Sequence, residues 1–130
     1  MNKNFLVGFL LLGILVGCPQ TPAPTSTPTP VPVVADWYTY MTSFRGQDGS
    51  RLSYTCPAKP TGVGTVWGTD VYTDDSAICV AALHASKITE AGGTFTLEIR
   101  AGQASYVGST RNGVTTSDYG SWGGSYAFVN

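Results

Sequence analysis

Residues 94–100 carry the clearest pattern in the chain. Phe95, Leu97 and Ile99 alternate with Thr96, Glu98 and Arg100, which predicts a strand with one face in a core and one in water. The same two-residue period puts Leu52, Tyr54 and Cys56 on one side of residues 51–56, and Tyr126 and Phe128 on one side of residues 125–129. Residues 37–41, Trp-Tyr-Thr-Tyr-Met, are rich in strand formers and are predicted as a further strand. Residues 65–67 and 71–72 are shorter extended pieces around Gly68. Turns are signalled by Gly46-Gln47-Asp48-Gly49 and by Asn112-Gly113, a pair that tolerates positive φ.

The two-residue period breaks once. Ile78, Ala81, Ala82 and Ala85 fall on one stripe at helical spacing, with Cys79 and Leu83 beside it, so a short and largely buried helix is predicted. Asp74, Asp75 or Ser76 is expected as its N-cap, because their side-chain oxygens can accept amide protons of the first turn. Around the helix stand short strands and glycine-rich turns, with no internal repeat and no second domain.

The run that spans this junction, residues 65–88, reads TVWGTDVYTDDSAICVAALHASKI. It resembles the central signature of the LCCL domain, with Trp67, Gly68, Tyr72, Asp74, Asp75, Ser76 and His84 at the matching positions. The resemblance implies an α+β fold in which one central α-helix packs against short, mostly antiparallel β-strands. It also implies an extracellular module of the kind generally discussed as ligand-binding, including for lipopolysaccharide-like molecules. Two departures stand out. Animal members commonly carry Cys-Pro-x-x-Cys where this chain has Cys56-Pro57-Ala58-Lys59-Pro60, so one family bridge is missing. Where the family's helix ends in glycine, Ser86 stands here, and either the helix ends differently or Ser86 bears modest strain.

The first residues look like an export signal. Lys3 supplies a positive start, residues 5–16 an apolar stretch, and Leu15-Val16-Gly17-Cys18 resembles the bacterial lipobox. Residues 1–17 are therefore expected to be a lipoprotein signal peptide and Cys18 the lipidated residue, carrying acyl chains such as palmitate. Residues 18–35 form a Pro/Thr-rich linker; six prolines fall among residues 19–34, which favours an extended spacer of at most about 50 Å at ~3.1 Å per residue. Residues 36–130 remain as a single folded domain.

Formal charge narrows the function further. The chain carries 7 basic and 8 acidic side chains, and loss of Lys3 with the signal leaves 6 against 8, a net of −2. No basic stripe remains for phosphate neutralisation, so nucleic acid is not an expected partner. With Cys18 acylated, Cys56 and Cys79 form an even pair in an exported chain, which suggests a disulfide; two buried free thiols are the alternative.

Chemistry is thinly represented. His84 is the only histidine and is expected to be a satisfied core or helix-end residue. Five positions from Cys79 on a helix, it lies about 140° around the axis, a poor nucleophile and base geometry. One histidine cannot build a zinc site, and Asp70, Asp74 and Asp75 lack the ligand spacing of a calcium loop. No metal and no cofactor are expected. A carboxylate pair for glycan hydrolysis could be drawn from Asp70, Asp74, Asp75, Glu90 and Glu98, but nothing pairs them across a cleft. An enzyme is not expected.

The best loop-like binding candidates are Gln103, Tyr106, Arg111 and Asn112, followed by Tyr119 and Trp122, since aromatic rings beside small polar groups suit sugar faces. The chain reads as a membrane-anchored binding module on the extracytoplasmic side of a bacterial cell envelope, for a glycan, glycolipid or protein partner. A structural or assembly lipoprotein that docks on another envelope protein is the alternative, and a glycan hydrolase a distant third.

Overall fold

A computed structural model describes residues 13–14, 16–25 and 30–130. Most of the proposed signal segment, including Lys3 and Leu15, lies outside the described residues. Among the described residues, no helix is long and apolar enough to cross a membrane.

The described residues form eight strands and one α-helix: β1 (Val33–Val34), β2 (Arg51–Cys56), β3 (Gly68–Thr69), β4 (Val71–Thr73), α1 (Ile78–His84), β5 (Gly93–Ala101), β6 (Thr110–Arg111), β7 (Val114–Thr115) and β8 (Gly124–Val129). Six strands make one sheet in the order β1-β2-β5-β8-β4-β3, while β6 and β7 form a separate hairpin. The β1–β2 pair is parallel and the others are antiparallel, so the sheet is mixed. The domain is α+β, but mainly β.

Register follows the alternating pattern. Leu52 lies opposite Leu97 and Tyr54 opposite Phe95 across β2 and β5; Leu97 faces Phe128 and Ile99 faces Tyr126 across β5 and β8; Tyr126 faces Tyr72 across β8 and β4. These side chains line one face and build the core with α1, all seven residues of which are buried. On the other face, Ser53 bonds Thr96 and Thr55 bonds Thr94 through their hydroxyls, each pair at 2.8 Å.

Two expectations fail for local reasons. Residues 37–41 are not a strand: Asp36 Oδ1 accepts the Tyr38 amide at 2.8 Å and the Thr39 hydroxyl at 2.9 Å, and this side-chain turn displaces an extended backbone. Trp37 is nevertheless buried, and Met41 leads into a 3-10 turn, Thr42–Phe44. Nor do Asp74, Asp75 or Ser76 cap α1. Its N-cap is Ala77, with no side-chain cap bond, because Asp74 and Ser76 bond elsewhere. In addition, β1 falls within the segment read as spacer, and joins the sheet edge two residues before Asp36.

The helix end is a Schellman turn built on serine. Ser86 adopts φ 59°, its amide donates to Leu83 O at 3.1 Å, and Lys87 N donates to Ala82 O at 2.8 Å. Asn112, in the Asn112-Gly113 turn between β6 and β7, donates from Nδ2 to His84 O (2.8 Å) and Ser86 Oγ (2.6 Å). Serine thus occupies a position that usually favours glycine, and a hairpin side chain holds it there.

Cys56 at the end of β2 is disulfide-bonded to Cys79 in α1, with their Cα atoms 5.9 Å apart and a sequence separation of 23. By the chain-entropy relation a loop of this size stabilises the fold by ~3 kcal/mol. Replacing both cysteines by alanine should therefore lower unfolding free energy by about that amount in urea or guanidinium titrations; a double variant as stable as the parent would refute a stapling role.

Candidate functional site

Asp74 follows β4 and is almost fully buried, 1% exposed. Arg45 grips it with two bonds, Nε to Oδ2 at 2.7 Å and Nη2 to Oδ1 at 2.8 Å, and Trp122 Nε1 donates to Oδ1 at 2.8 Å. Burial pushes the Asp74 carboxyl up, but the Arg45 and Trp122 hydrogen bonds outweigh it and hold the group below the ordinary aspartate range. The guanidinium carbon of Arg45 also lies 5.1 Å from the Trp122 ring centroid, a cation–π contact. Gly124 makes the cluster possible, since a side chain there would run into the Asp74 carboxylate.

Around this pair the aromatic rings form a contiguous group. Tyr119 meets Trp122 edge to face with centroids 5.5 Å apart, and meets Trp67 in the same manner at 6.1 Å. Trp67 and Trp122 are half-buried, whereas Tyr119 is 43% exposed. Backbone bonds place them: Trp67 bridges to Ser117, Gly68 N donates to Ser117 O at 3.0 Å, and Tyr106 and Tyr119 exchange amide bonds at 2.8 and 3.0 Å. Gly120 and Gly123 lie at the rim, and a side chain on Gly120 would meet nothing within 4 Å.

The structure separates the candidate binding residues into two groups. Tyr119 and Trp122 come together, joined by Trp67, which sequence reasoning treated only as part of the signature, and by Arg45, which it did not single out. Tyr106 is 3% exposed, its hydroxyl accepting from Gln103 N at 3.0 Å, so it offers no ring face to a ligand and holds the loop beneath Tyr119. Gln103 is exposed and its carbonyl accepts the Trp122 amide at 3.1 Å. Arg111 pairs with Asp70 at 2.7 Å, and Asn112 caps the helix, so both belong to the hairpin region.

The signature residues serve the junction. Gly68 sits at φ 99°, where a side chain would meet Val71 O, and so permits the tight β3–β4 turn. Ser76 Oγ accepts the Trp67 amide at 2.9 Å and bonds Thr73 Oγ1 at 2.8 Å. Asp75 is half-buried beside this junction. The carboxylates considered for hydrolysis are dispersed: besides Asp70 and Asp74, Glu90 pairs with Lys59 at 3.3 Å and Glu98 with Arg51 at 3.0 Å. A groove of about 260 Å3 between residues 63–66 and 113–115 is lined by Val63, Val66, Val80, Val114 and Lys59, with no carboxylate in its wall.

His84 is wholly buried, with Nδ1 2.9 Å from the Tyr72 hydroxyl and Nε2 3.1 Å from Ser109 Oγ, which in turn bonds Thr69 Oγ1 at 2.7 Å. A neutral ring satisfies both contacts, donating through one nitrogen and accepting through the other; an imidazolium would make both donors. Burial pushes its pKa below the ordinary 6.5, and pushes the Tyr72 phenol up to about 12.

Sequence comparison places these features in a known setting. The LCCL domain family model matches residues 34–126. Clotting factor C of Tachypleus tridentatus is 33% identical over 86 residues, 65% of this chain and 8% of that protein. Human vitrin is 40% identical over 57 residues, 44% of this chain and 8% of its own length. Human cysteine-rich secretory protein LCCL domain-containing 2 is 39% identical over 66 residues, half of this chain and 13% of its own. The chain thus corresponds to a small part of each of these relatives.

The depressed His84 pKa sets a sign for acid sensitivity. The unfolded chain takes up a proton near pH 6.5 before the folded one does, so stability is complete above that pH and declines as pH falls towards the lowered folded value. The slope should not exceed about 1.4 kcal/mol per pH unit. His84→Gln should flatten it between pH 5 and 7 in denaturant titrations; equal slopes in parent and variant would show that another group is responsible.

Proposed function

The chain belongs to the LCCL domain family, and from that premise we propose that it is a lipid-anchored, extracytoplasmic, non-enzymatic binding module for an envelope glycan or glycolipid. The observation that carries this reading is the contiguous, partly exposed group of Trp67, Tyr119 and Trp122, rimmed by glycines and fixed on the Arg45–Asp74 pair. Sugar rings present an apolar face ringed by hydroxyls, and such a face packs on aromatic side chains while its hydroxyls reach nearby polar groups. A scaffold stapled by a disulfide and closed by a six-stranded sheet holds the rings in place before any ligand arrives. The disulfide also fits an oxidising compartment outside the cytoplasm.

A second reading draws on the other end of the sheet. β1 is an edge strand, and Val33 and Val34 are 60% and 79% exposed, a surface on which another envelope protein could dock. The aromatic group is favoured because its rings come from distant parts of the sequence and converge on one exposed spot.

The direct test is a screen of the oxidised, full-length chain against immobilised envelope glycans and glycolipids, with Tyr119→Ala as the paired variant. Saturable binding by the parent that falls at least tenfold in Tyr119→Ala, at unchanged melting temperature, is the expected result. Absence of binding across the screen would remove the glycan reading and leave docking. Anchoring is tested separately by metabolic labelling with a fatty acid analogue: label should enter the parent and be lost in Cys18→Ala, and equal labelling of both would exclude Cys18 as the attachment site.

A further inference from the structure

We infer that Asn112 is a deamidation site that the closed β6–β7 hairpin protects, and that the carboxylate formed there releases the hairpin from the end of α1. The inference is independent of what the aromatic group binds. Asn112 and Gly113 are the two-residue turn between β6 and β7, with φ 52° and 74°, and both are exposed. Gly113 has no side chain to shield its amide, and a Cβ placed there would meet nothing within 4 Å. Among the described residues, none accepts a hydrogen bond from that amide. The other asparagines of the chain are Asn2, Asn4 and Asn130, so Asn112 is the one followed by glycine.

The reaction needs only base and water. The Gly113 nitrogen gives up its proton and attacks Cγ of Asn112; a succinimide ring closes as the Cγ–Nδ2 bond breaks, and Nδ2 leaves as ammonia. One water then opens the ring at either carbonyl, giving aspartate or isoaspartate. In the closed hairpin this chemistry is held back. Nδ2, the leaving nitrogen, donates to His84 O at 2.8 Å and to Ser86 Oγ at 2.6 Å, which fixes the carboxamide on the helix end. The rest of the hairpin is pinned as well, by Arg111 on Asp70 at 2.7 Å, by Ser109 Oγ 3.1 Å from His84 Nε2, and by the buried Val114. Attack therefore waits on a local opening of the hairpin.

The product reverses the contact. A carboxylate has no hydrogen to donate, so an oxygen would face the His84 carbonyl where Nδ2 had donated, and negative charge would be added at the C-terminal end of α1, which already carries the negative end of the helix dipole. Isoaspartate also lengthens the backbone inside a two-residue turn, which spoils the pairing of Arg111 with Val114. Ser86 then loses the partner that holds it in the left-handed conformation, and Val114, one wall of the apolar groove, is loosened. The change is one-way and accumulates with the age of the protein.

The test holds the oxidised full-length chain at mildly alkaline pH beside the same chain unfolded in guanidinium chloride, and follows Asn112 by peptide mapping and mass spectrometry. Both should yield aspartate and isoaspartate at Asn112 with release of ammonia, the folded chain about tenfold more slowly. Ser86→Gly removes one acceptor of Nδ2 and suits a positive φ, so it should raise the folded rate several-fold, with the melting temperature as the check that the fold is intact. Asn112→Asp should speed hydrogen exchange of the amides of residues 84–87 and 110–115 while leaving β2, β5 and β8 unchanged. Equal rates in folded and unfolded chains, or in parent and Ser86→Gly, would overturn the protection, and unchanged exchange in Asn112→Asp would overturn the release. A folded chain that stays unmodified while the unfolded one converts completely would show that Asn112 is not a modification site of the native protein.

Discussion

The buried carboxylate of Asp74 is the constraint on which the rest of this domain is organised. An aspartate at 1% exposure cannot keep its charge unless hydrogen bonds replace its hydration, and here three donors do so. They come from Arg45, beyond the 3-10 turn, and from Trp122, just before the last strand. Its backbone is equally occupied: Asp74 N donates to Gly124 O at 3.0 Å, and Asp74 O accepts Met41 N at 2.7 Å. One residue thus fixes the path of two distant loops relative to the strand-to-helix junction. The glycine at position 124 follows from this arrangement, because the space of its missing side chain is filled by the carboxylate and its guanidinium partner.

The helix shows the complementary principle, that a seven-residue segment needs tertiary support. It has no side-chain N-cap, yet its entrance is held by Ala77 N bonding Thr65 O and Ile78 N bonding Thr39 O, both at 3.0 Å. Its first turn is tied to β2 by the disulfide, and its end is closed by the Ser86 turn with Asn112 on the His84 carbonyl. Tyr72 and Tyr126, opposite one another in the sheet, add bonds from their hydroxyls to His84 and to Ser76 O. These contacts replace the water that a free helix end would use.

Much of this was legible in the sequence, and the reason is periodicity. The long strands repeat apolar residues every second position, and the helix does so at helical spacing, so β2, β5, β8 and α1 could be located from pattern alone. What pattern could not reveal was competition from local side-chain bonds. Residues 37–41 have strand composition, but Asp36 captures the following amides; Asp74 and Ser76 have capping chemistry, but distant partners hold it. Ser86 stands out in the sequence because glycine is the usual choice there, and in the structure it takes the left-handed conformation with Asn112 bonded to its hydroxyl. The short strand β1 carried no signal of its own, since two valines beside prolines look like spacer.

The candidate site was only partly legible for a similar reason. Tyr119 and Trp122 could be picked from aromatic content, whereas Arg45 lies 77 positions before Trp122 and nothing local in sequence joins them. Trp67 was visible as a signature residue, and that visibility concealed a second role, since a residue that marks the fold can also form its surface. On the proposed binding reading, scaffold and recognition are therefore coupled. Trp122 commits its indole N–H to Asp74 and one ring contact to Arg45, which leaves its remaining ring surface, Tyr119 and the exposed part of Trp67 uncommitted. On the binding reading proposed above, polar recognition beyond ring stacking falls to the free edge of Arg45, the Tyr119 hydroxyl and the Trp67 indole N–H. On that reading, the same buried charge pair that fixes the loops would also hold in place the surface they offer to a ligand.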